Sequence, residues 1–415
     1  MPGRIEILGK HTDYAGGRSL TCAAERGFAV TWAPRPETLL RIVDAADNRL
    51  AEIPLDGSQN PVLGDWSNYP ATVARRLARN FGAMRTGVDV AFHSTLPRAA
   101  GLSTSSALVT ATFMVIAAAN DLRDRDDFRD AIPDDEALAA YLGCIENGRA
   151  FGALAGDGGV GTSGGSEDHT AIVLSLPGAW SCYRYHPVER LRALTLPETM
   201  TLVVTSSGVA AAKTGAAREG YNRAADLVTE LVALATVRGP ELQFGQTEGP
   251  ELPSGHSTTL ADVLDSSPDA VDQLRAAAAS QRSSRFAARD LLRRLDHFLE
   301  EDRRLLPDAL DAVDVSDWNR FGTLVDRSQV AAERLLGNQV PETITLQRLA
   351  RELGAIAASA FGAGFGGSVW ALVPADHADE FAQRVFERFA GVHPDAARRA
   401  THFVTRPAPG VLAAS

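Results

Sequence analysis

Cysteine is scarce in this chain of 415 residues, and the three present, Cys22, Cys144 and Cys182, are too scattered for a disulfide framework or a zinc knuckle. They read as small buried residues in a reducing cytoplasm, which is the expected location. Basic residues form no run and the formal net charge is −11, so an electrostatic nucleic-acid footprint is excluded. No apolar stretch reaches the length of a bilayer span, and no membrane association is expected. No His/Cys group has zinc-ligand spacing. The stretch at 97–107 is rich in glycine and hydroxyls but lacks the Gly-Lys-Ser/Thr that would make it a Walker loop.

What is present has the composition of an ordinary globular protein, 45% hydrophobic and 22% charged, at a length that suits two domains. Short apolar, β-branched runs predict strands at Arg4–Leu8, Leu20–Trp32, Leu39–Ile53, Val88–Phe92 and Met200–Ser206. Helical spacing marks Trp66–Phe81, Ser105–Asn120, Leu138–Arg149, Tyr221–Leu234, Arg282–Arg304 and Leu346–Ala358. The run AIVLSL at Ala171–Leu176 reads as a strand, as does VWALV after the glycine island GAGFGG at Gly362–Gly367. Residues 237–257 lack periodicity and read as a surface insertion. A boundary near residues 190–198 divides the chain into domains 1–195 and 196–415. Patterned sequence begins at Pro2, so the first strand is expected to open the chain.

Three islands carry chemistry. PRAAGLSTSSA at 97–107 runs straight into a helical pattern, an arrangement in which backbone N–H groups and the helix N-terminus hold phosphate and hydroxyls reach phosphate or metal. Taken alone, a Ser/Thr run before a helix is just a cap. PGRIEILGKHTDYAGG at 2–17 puts Arg4, His11, Asp13 and Tyr14 around one strand and turn, a mixed donor and acceptor set that suits sugar hydroxyls; turn-making alone also explains His11 and Asp13. GTSGGSEDH at 161–169 places Asp168 between a glycine stretch and the AIVLSL run, where a carboxylate can serve as general base, with Glu167 as competitor.

Together these islands resemble the motifs of the GHMP small-molecule kinases. PGRIEILGKHTDYAGG is similar to the galactokinase signature, PRAAGLSTSSAL to the shared ATP loop and FGAGFGGSVWAL to the third motif. Linking segments also match: Trp66-Ser-Asn-Tyr69, Thr205–Leu227, and His297-Phe298 with Glu301 and Arg303. The resemblance implies a two-domain α+β fold, with a ribosomal-protein-S5-like N-terminal domain, a ferredoxin-like C-terminal domain and the active site between them. It implies transfer of the ATP γ-phosphoryl group to a sugar hydroxyl, usually the 1-hydroxyl, with Mg²⁺, in a monomer or homodimer. Carried over position by position, Asp168 is the base and Arg4 stabilises the deprotonating hydroxyl and the transferring phosphoryl. His11, Asp13, Gly165 and Tyr221 contact sugar. Gly101, Leu102, Ser103, Thr104 and Ser105 hold the nucleotide phosphates, and Ser105 with Glu146 bridges Mg²⁺.

The chain departs from that pattern in two places. Galactokinases carry glutamate where this chain has Lys10, a side chain with three donors and no acceptor. One reading pairs Lys10 with an acidic substituent on the sugar, as in galacturonate; the other leaves a neutral sugar bound and Lys10 swung outward or paired with Asp13 or Glu6. The segment before Asp168 also diverges, and its extra glycine-rich residues lengthen the interval from Glu146. A catalytically silent sugar-sensing regulator is the competing class, disfavoured because Arg4, Asp168 and the whole ATP loop are retained.

Overall fold

The eighteen-residue segment Arg18–Arg35, rich in apolar and β-branched residues, is long enough to serve several partners, and the N-terminal sheet is built around it. In the computed structural model, which describes residues 1–415 except 61, 63, 98, 212–214, 238–257, 282–283 and 414–415, this run is strand β2. β1 (Pro2–Leu8) pairs antiparallel with its first half, and β6 (Ala179–Tyr185) takes residues 18–21. β5 (Gly87–Ser94) takes the second half. β3 (Leu39–Asp44) and β4 (Arg49–Pro54) form a hairpin beyond β5, and β7 (Val188–Thr195) closes the other edge. The order is β4-β3-β5-β2-β6-β7, with β1 on β2 off that path. The helix Thr104–Ala119 is apolar on nearly every face and is buried accordingly, packed with the helices Asn68–Phe81, Asp135–Asn147 and Glu167–Leu174.

A second sheet contains β8 (Met200–Ser206), β9 (Ala357–Phe361), β10 (Ser368–Pro374) and β11 (His402–Thr405) in the order β11-β8-β10-β9. That order, with helices between β8 and β9 and again between β10 and β11, is the split βαβ arrangement of ferredoxin-like folds. The α+β architecture implied by the resemblance is therefore present. The largest apolar core is shared, taking Ile5, Leu20 and Phe113 from one side and Leu202, Trp370 and Phe321 from the other. The expected insertion at 237–257 lies, but for Val237, outside the described residues.

Some elements differ from their expectations: Leu39–Ile53 divides into β3 and β4, and the helix expected over Leu346–Ala358 ends at Glu352, with Ala357 opening β9. The run at Ala171–Leu176 is not a strand; residues Glu167–Leu174 form a helix. A short run that is apolar throughout has the same signature whether it is a buried strand or a buried helix. Its acidic first turn, Glu167 and Asp168, favours the helix by placing negative charge at the positive end of the dipole.

Candidate active site

Strand alternation sets up the first half of the site. Ile5 and Ile7 enter the apolar core, so Arg4 and Glu6, two apart, share the other face of β1 and are both buried. Charges taken out of water need partners. Arg4 Nε donates to Asp168 Oδ1 at 2.8 Å and Nη2 donates to the same oxygen, while Glu167 Oε1 lies 3.3 Å from Nε. Residues 164 apart in the chain thus meet at the mouth of a cleft of about 540 Å³. Burial works against the Arg4 charge, but Asp168, Glu167 and Glu6 outweigh it and raise its pKa.

Glu6 and Glu167 are two buried carboxyls that act on each other, and burial together with like charge disfavours ionising both. Burial, followed by the Glu6 charge, raises the Glu167 carboxyl well above its usual range. Burial likewise pushes Glu6 up to about 7, with Arg4 and Lys10 opposing and Glu301 assisting. A folded-state value above the unfolded one means that the native state holds the extra proton between about pH 4.5 and 7. Stability contributed by this group therefore falls as pH rises through that window. Glu6→Gln, permanently neutral, is expected to flatten the fall and to be more stable than the parent at pH 8 by up to about 3 kcal/mol, with little difference at pH 4. Urea midpoints at the two pH values decide it; equal midpoints at pH 8 would overturn the upward shift of Glu6.

The turn after β1 organises the next set. Thr12 Oγ1 lies 2.7 Å from the carbonyl oxygens of both Gly9 and Arg18, with one proton to give between them, and His11 is held at φ 57°. His11 Nε2 donates to Ala363 O at 3.2 Å, so Nδ1 accepts from the Tyr14 hydroxyl at 2.8 Å. Burial first, then Arg294, pushes His11 down to about 3, consistent with this neutral tautomer. Arg294, itself buried, donates to His11 O at 2.5 Å and to the Tyr14 hydroxyl at 3.2 Å. Asp13 Oδ2 accepts from Glu167 N at 3.4 Å. Gly165 must be glycine here, because a Cβ on it would stand 2.4 Å from Asp13 Oδ2. Tyr221, on the helix Gly215–Val237, has its ring 5.3 Å from that of His11 and reaches Gly164 with its hydroxyl. His11, Asp13, Gly165 and Tyr221 all line the cleft.

Lys10 does not. Its Nζ donates at 2.7 Å to Ser328 Oγ, which donates at 2.5 Å to Glu301 Oε1, and the residue is 1% exposed. Glu301 Oε2 also accepts the backbone N–H groups of Gly9 and Lys10. The lysine thus turns into the protein, neither outward nor toward the cleft. The expectation that it meets an acidic substituent on the sugar lacks this contact. The physical reason is the buried Glu301 carboxylate beneath the turn.

The glycine loop is fixed by its carbonyls. Ala99 O accepts from Ala211 N at 2.8 Å, Ala100 O from Ser368 Oγ at 2.6 Å, Gly101 O from Arg4 Nη1 at 3.4 Å and Leu102 O from Arg4 N at 3.2 Å. In a trans peptide the following N–H points opposite to the carbonyl, so the amides of residues 100–103 face away from these anchors. Ser103, at φ 59°, ends the loop at the start of the helix Thr104–Ala119, and its Oγ is buried with no hydrogen-bond partner. Gly101, Ser103, Thr104 and Ser105 line the cleft; Leu102 is fully buried and contributes backbone.

The extra residues before Asp168 leave as a loop and return. Asp157 N donates to Gly148 O at 2.8 Å and Val160 N to Glu146 O at 2.9 Å, with Asp157 held by Arg75 at 2.8 Å. Glu146 therefore reaches the site despite the long interval. Ser105 Oγ lies 3.4 Å from its Oε1, and Ser106 Oγ donates to its Oε2 at 2.7 Å. Ser106 Oγ is also 3.2 Å from Asp168 Oδ2, linking the two carboxylates. Past the loop the cleft wall is aromatic, with the rings of Phe28 and Trp66 each in tilted contact with Phe92, and the buried Asn68 Oδ1 there has no partner.

Residues 2–34 match the galactokinase galactose-binding signature, residues 68–153 the GHMP kinases N terminal domain and residues 308–391 the GHMP kinases C terminal family. The chain belongs to the GHMP kinases. The fold of this GHMP kinase is shared with Lactococcus lactis galactokinase, solved in complex with galactose, at 20% identity and a TM-score of 0.75 over 99% of this chain and 92% of that one. It is also similar to Methanococcus jannaschii mevalonate kinase, at 13% identity and TM-score 0.55 over 98% and 96%. A D-glycero-D-manno-heptose 1-phosphate kinase from Bacteriodes thetaiotaomicron matches at 12% identity and TM-score 0.54 over 99% and 95%.

Among the residues that this kinase places in the cleft, the sequence reading passed over Glu6 and Ser106. Glu6 was legible as the same-face neighbour of Arg4 on a strand, two positions along. Ser106 gave no signal of its own, since which of three successive hydroxyls meets Glu146 depends on where the helix starts.

Proposed function

We propose that this chain is an ATP-dependent sugar kinase that transfers the γ-phosphoryl group to a hydroxyl, the 1-hydroxyl, of galactose or a close relative. The observation that carries the reading is the Arg4–Asp168 pair, which stands where the glycine loop and the galactose-binding signature meet. Each region of the cleft suits one part of the reactants. The Phe28, Phe92 and Trp66 wall suits a purine face, and the unpartnered Asn68 Oδ1 suits an exocyclic amine. The outward amides of residues 100–103 and the unpartnered Ser103 hydroxyl suit phosphate oxygens. Ser105, Ser106 and Glu146 offer the hard oxygen donors that magnesium takes. When bound there, Mg²⁺ supplies charge neutralisation on the phosphates.

The remaining work falls to the chain itself. Asp168 accepts the proton of the sugar hydroxyl as its oxygen forms a bond to the γ-phosphorus and the bond to ADP breaks. Arg4, held charged by three carboxyls, stabilises the negative charge on the hydroxyl and on the transferring group. Holding the oxygen and phosphorus in line is the larger part of the effect. Asp13, the Gly165 backbone, His11 and Tyr221 supply contacts to the other hydroxyls. Glu6, Asp13, Glu167 and Asp168 crowd this end of the cleft with carboxyls, which suits a neutral sugar better than a uronate.

Coupled ADP release with ATP, Mg²⁺ and a sugar panel is the test. Turnover on galactose-type neutral sugars, exceeding that on galacturonate at least tenfold, is expected. Sugar binding without ADP release would overturn the kinase reading and leave a silent sensor on the same fold.

A further inference from the structure

The reaction just described leaves His169 unused. His169 follows Asp168 on the helix Glu167–Leu174, lines the cleft and is 1% exposed. Both ring nitrogens are buried and neither has a hydrogen-bond partner. Its Nε2 lies 3.2 Å from Glu146 Oε2, near enough to contact but not aligned for a hydrogen bond. Leaving a buried polar group unsatisfied costs about 1–3 kcal/mol, so an interior imidazole with two unsatisfied nitrogens points to a group outside the polypeptide.

The surroundings narrow the choice of that group. Ser106 Oγ, Glu146 Oε2 and His169 Nε2 lie in sequence along one wall, with Ser105 Oγ 3.4 Å from the other Glu146 oxygen. Donors spaced 3.2 Å apart can both reach one divalent cation at about 2.1 Å, as neighbours in an octahedral set. Among the described residues no three His, Cys, Asp or Glu side chains converge as a complete metal cluster. Glu146 and His169 are two protein donors, and serine hydroxyls and nucleotide phosphates complete such a shell, as is usual for phosphoryl-transfer sites. A carboxylate with hydroxyls alone makes a magnesium site; adding an imidazole nitrogen shifts preference toward first-row transition ions.

We propose that His169 is a nitrogen ligand to the divalent cation of this site, and that this kinase therefore holds Mn²⁺ in preference to Mg²⁺. The inference rests on the nucleotide and cation placement given under Proposed function.

The test uses the full chain with Mn²⁺ and ADP, read by pulsed electron paramagnetic resonance. Histidine-nitrogen coupling to the bound Mn²⁺ is expected, and labelling the protein with [¹⁵N]histidine is expected to change it to the ¹⁵N pattern, which separates it from adenine nitrogens. His169→Gln is expected to abolish the coupling and to weaken Mn²⁺ by on the order of 10- to 100-fold, with Mg²⁺ much less affected. Bound Mn²⁺ without histidine coupling in the parent protein overturns the inference, whatever the variant does, and leaves the kinase reading intact. Failure to hold Mn²⁺ with ADP, together with no ADP release on any sugar, removes both.

Discussion

Asp168→Asn is expected to lower sugar-dependent turnover by on the order of 10³-fold or more, with nucleotide affinity nearly unchanged. Asparagine has the volume of aspartate and keeps a carbonyl oxygen to accept from Arg4 Nε, while its amide group can donate to Ser106 Oγ, 3.2 Å from Oδ2 in the parent. The site should therefore stay assembled. What asparagine cannot do is accept a proton from the sugar. Arg4 keeps the Glu167 carboxyl as a neighbour, 3.3 Å from its Nε, so it need not swing away. The glycine loop does not depend on Asp168: its carbonyls are held by Ala211, Ser368 and Arg4. Fluorescence titration of ATP and an ADP-release assay separate the two effects. Retention of most of the rate would remove Asp168 from the role of base and turn attention to Glu167, which shares Arg4.

Much of this site could be read from sequence because its parts are contiguous stretches with their own chemistry. The loop at 97–107, the turn carrying His11 and Asp13, and the Glu167-Asp168 pair each announce a residue type at a chain break. Their convergence on Arg4 was legible only through family resemblance, since nothing local joins positions 4 and 168. Three features stayed hidden for physical reasons. The AIVLSL run has no period to separate a buried helix from a buried strand, and the dipole at its acidic end settles the matter in three dimensions. The longer interval between Glu146 and Asp168 looked like a displacement, but the Asp157–Gly148 and Val160–Glu146 bonds close it into an outlying loop. The direction of Lys10 is set by Glu301, in a partner segment 291 residues away whose helix widens over Leu299–Leu305. No reading of the first strand alone contains that information.

Lys10→Glu carries the second large expectation, and it concerns stability more than sugar choice. In the parent, Nζ reaches Ser328, which donates to Glu301, and the Lys10 charge also acts on the buried Glu6 carboxyl. A glutamate there would set a second carboxylate against Glu301 in a place water does not reach. Removing one side of such an arrangement typically costs 3–5 kcal/mol, and reversing its charge is expected to cost at least about that much. Lys10→Met, which removes the charge but fills the space, is expected to lose less, about 1–3 kcal/mol. Both losses would appear as lower urea midpoints with unchanged slopes. The pair Lys10→Glu with Glu301→Lys separates charge from shape: a coupling of at least about 1 kcal/mol in the double-mutant cycle is expected if the two residues answer each other. The parent and any folded Lys10 variant should rank galactose and galacturonate in the same order, because the side chain does not line the cleft. A Lys10→Glu protein as stable as the parent, with its preference between those two sugars reversed, would place the lysine against the substrate after all and favour the uronate reading.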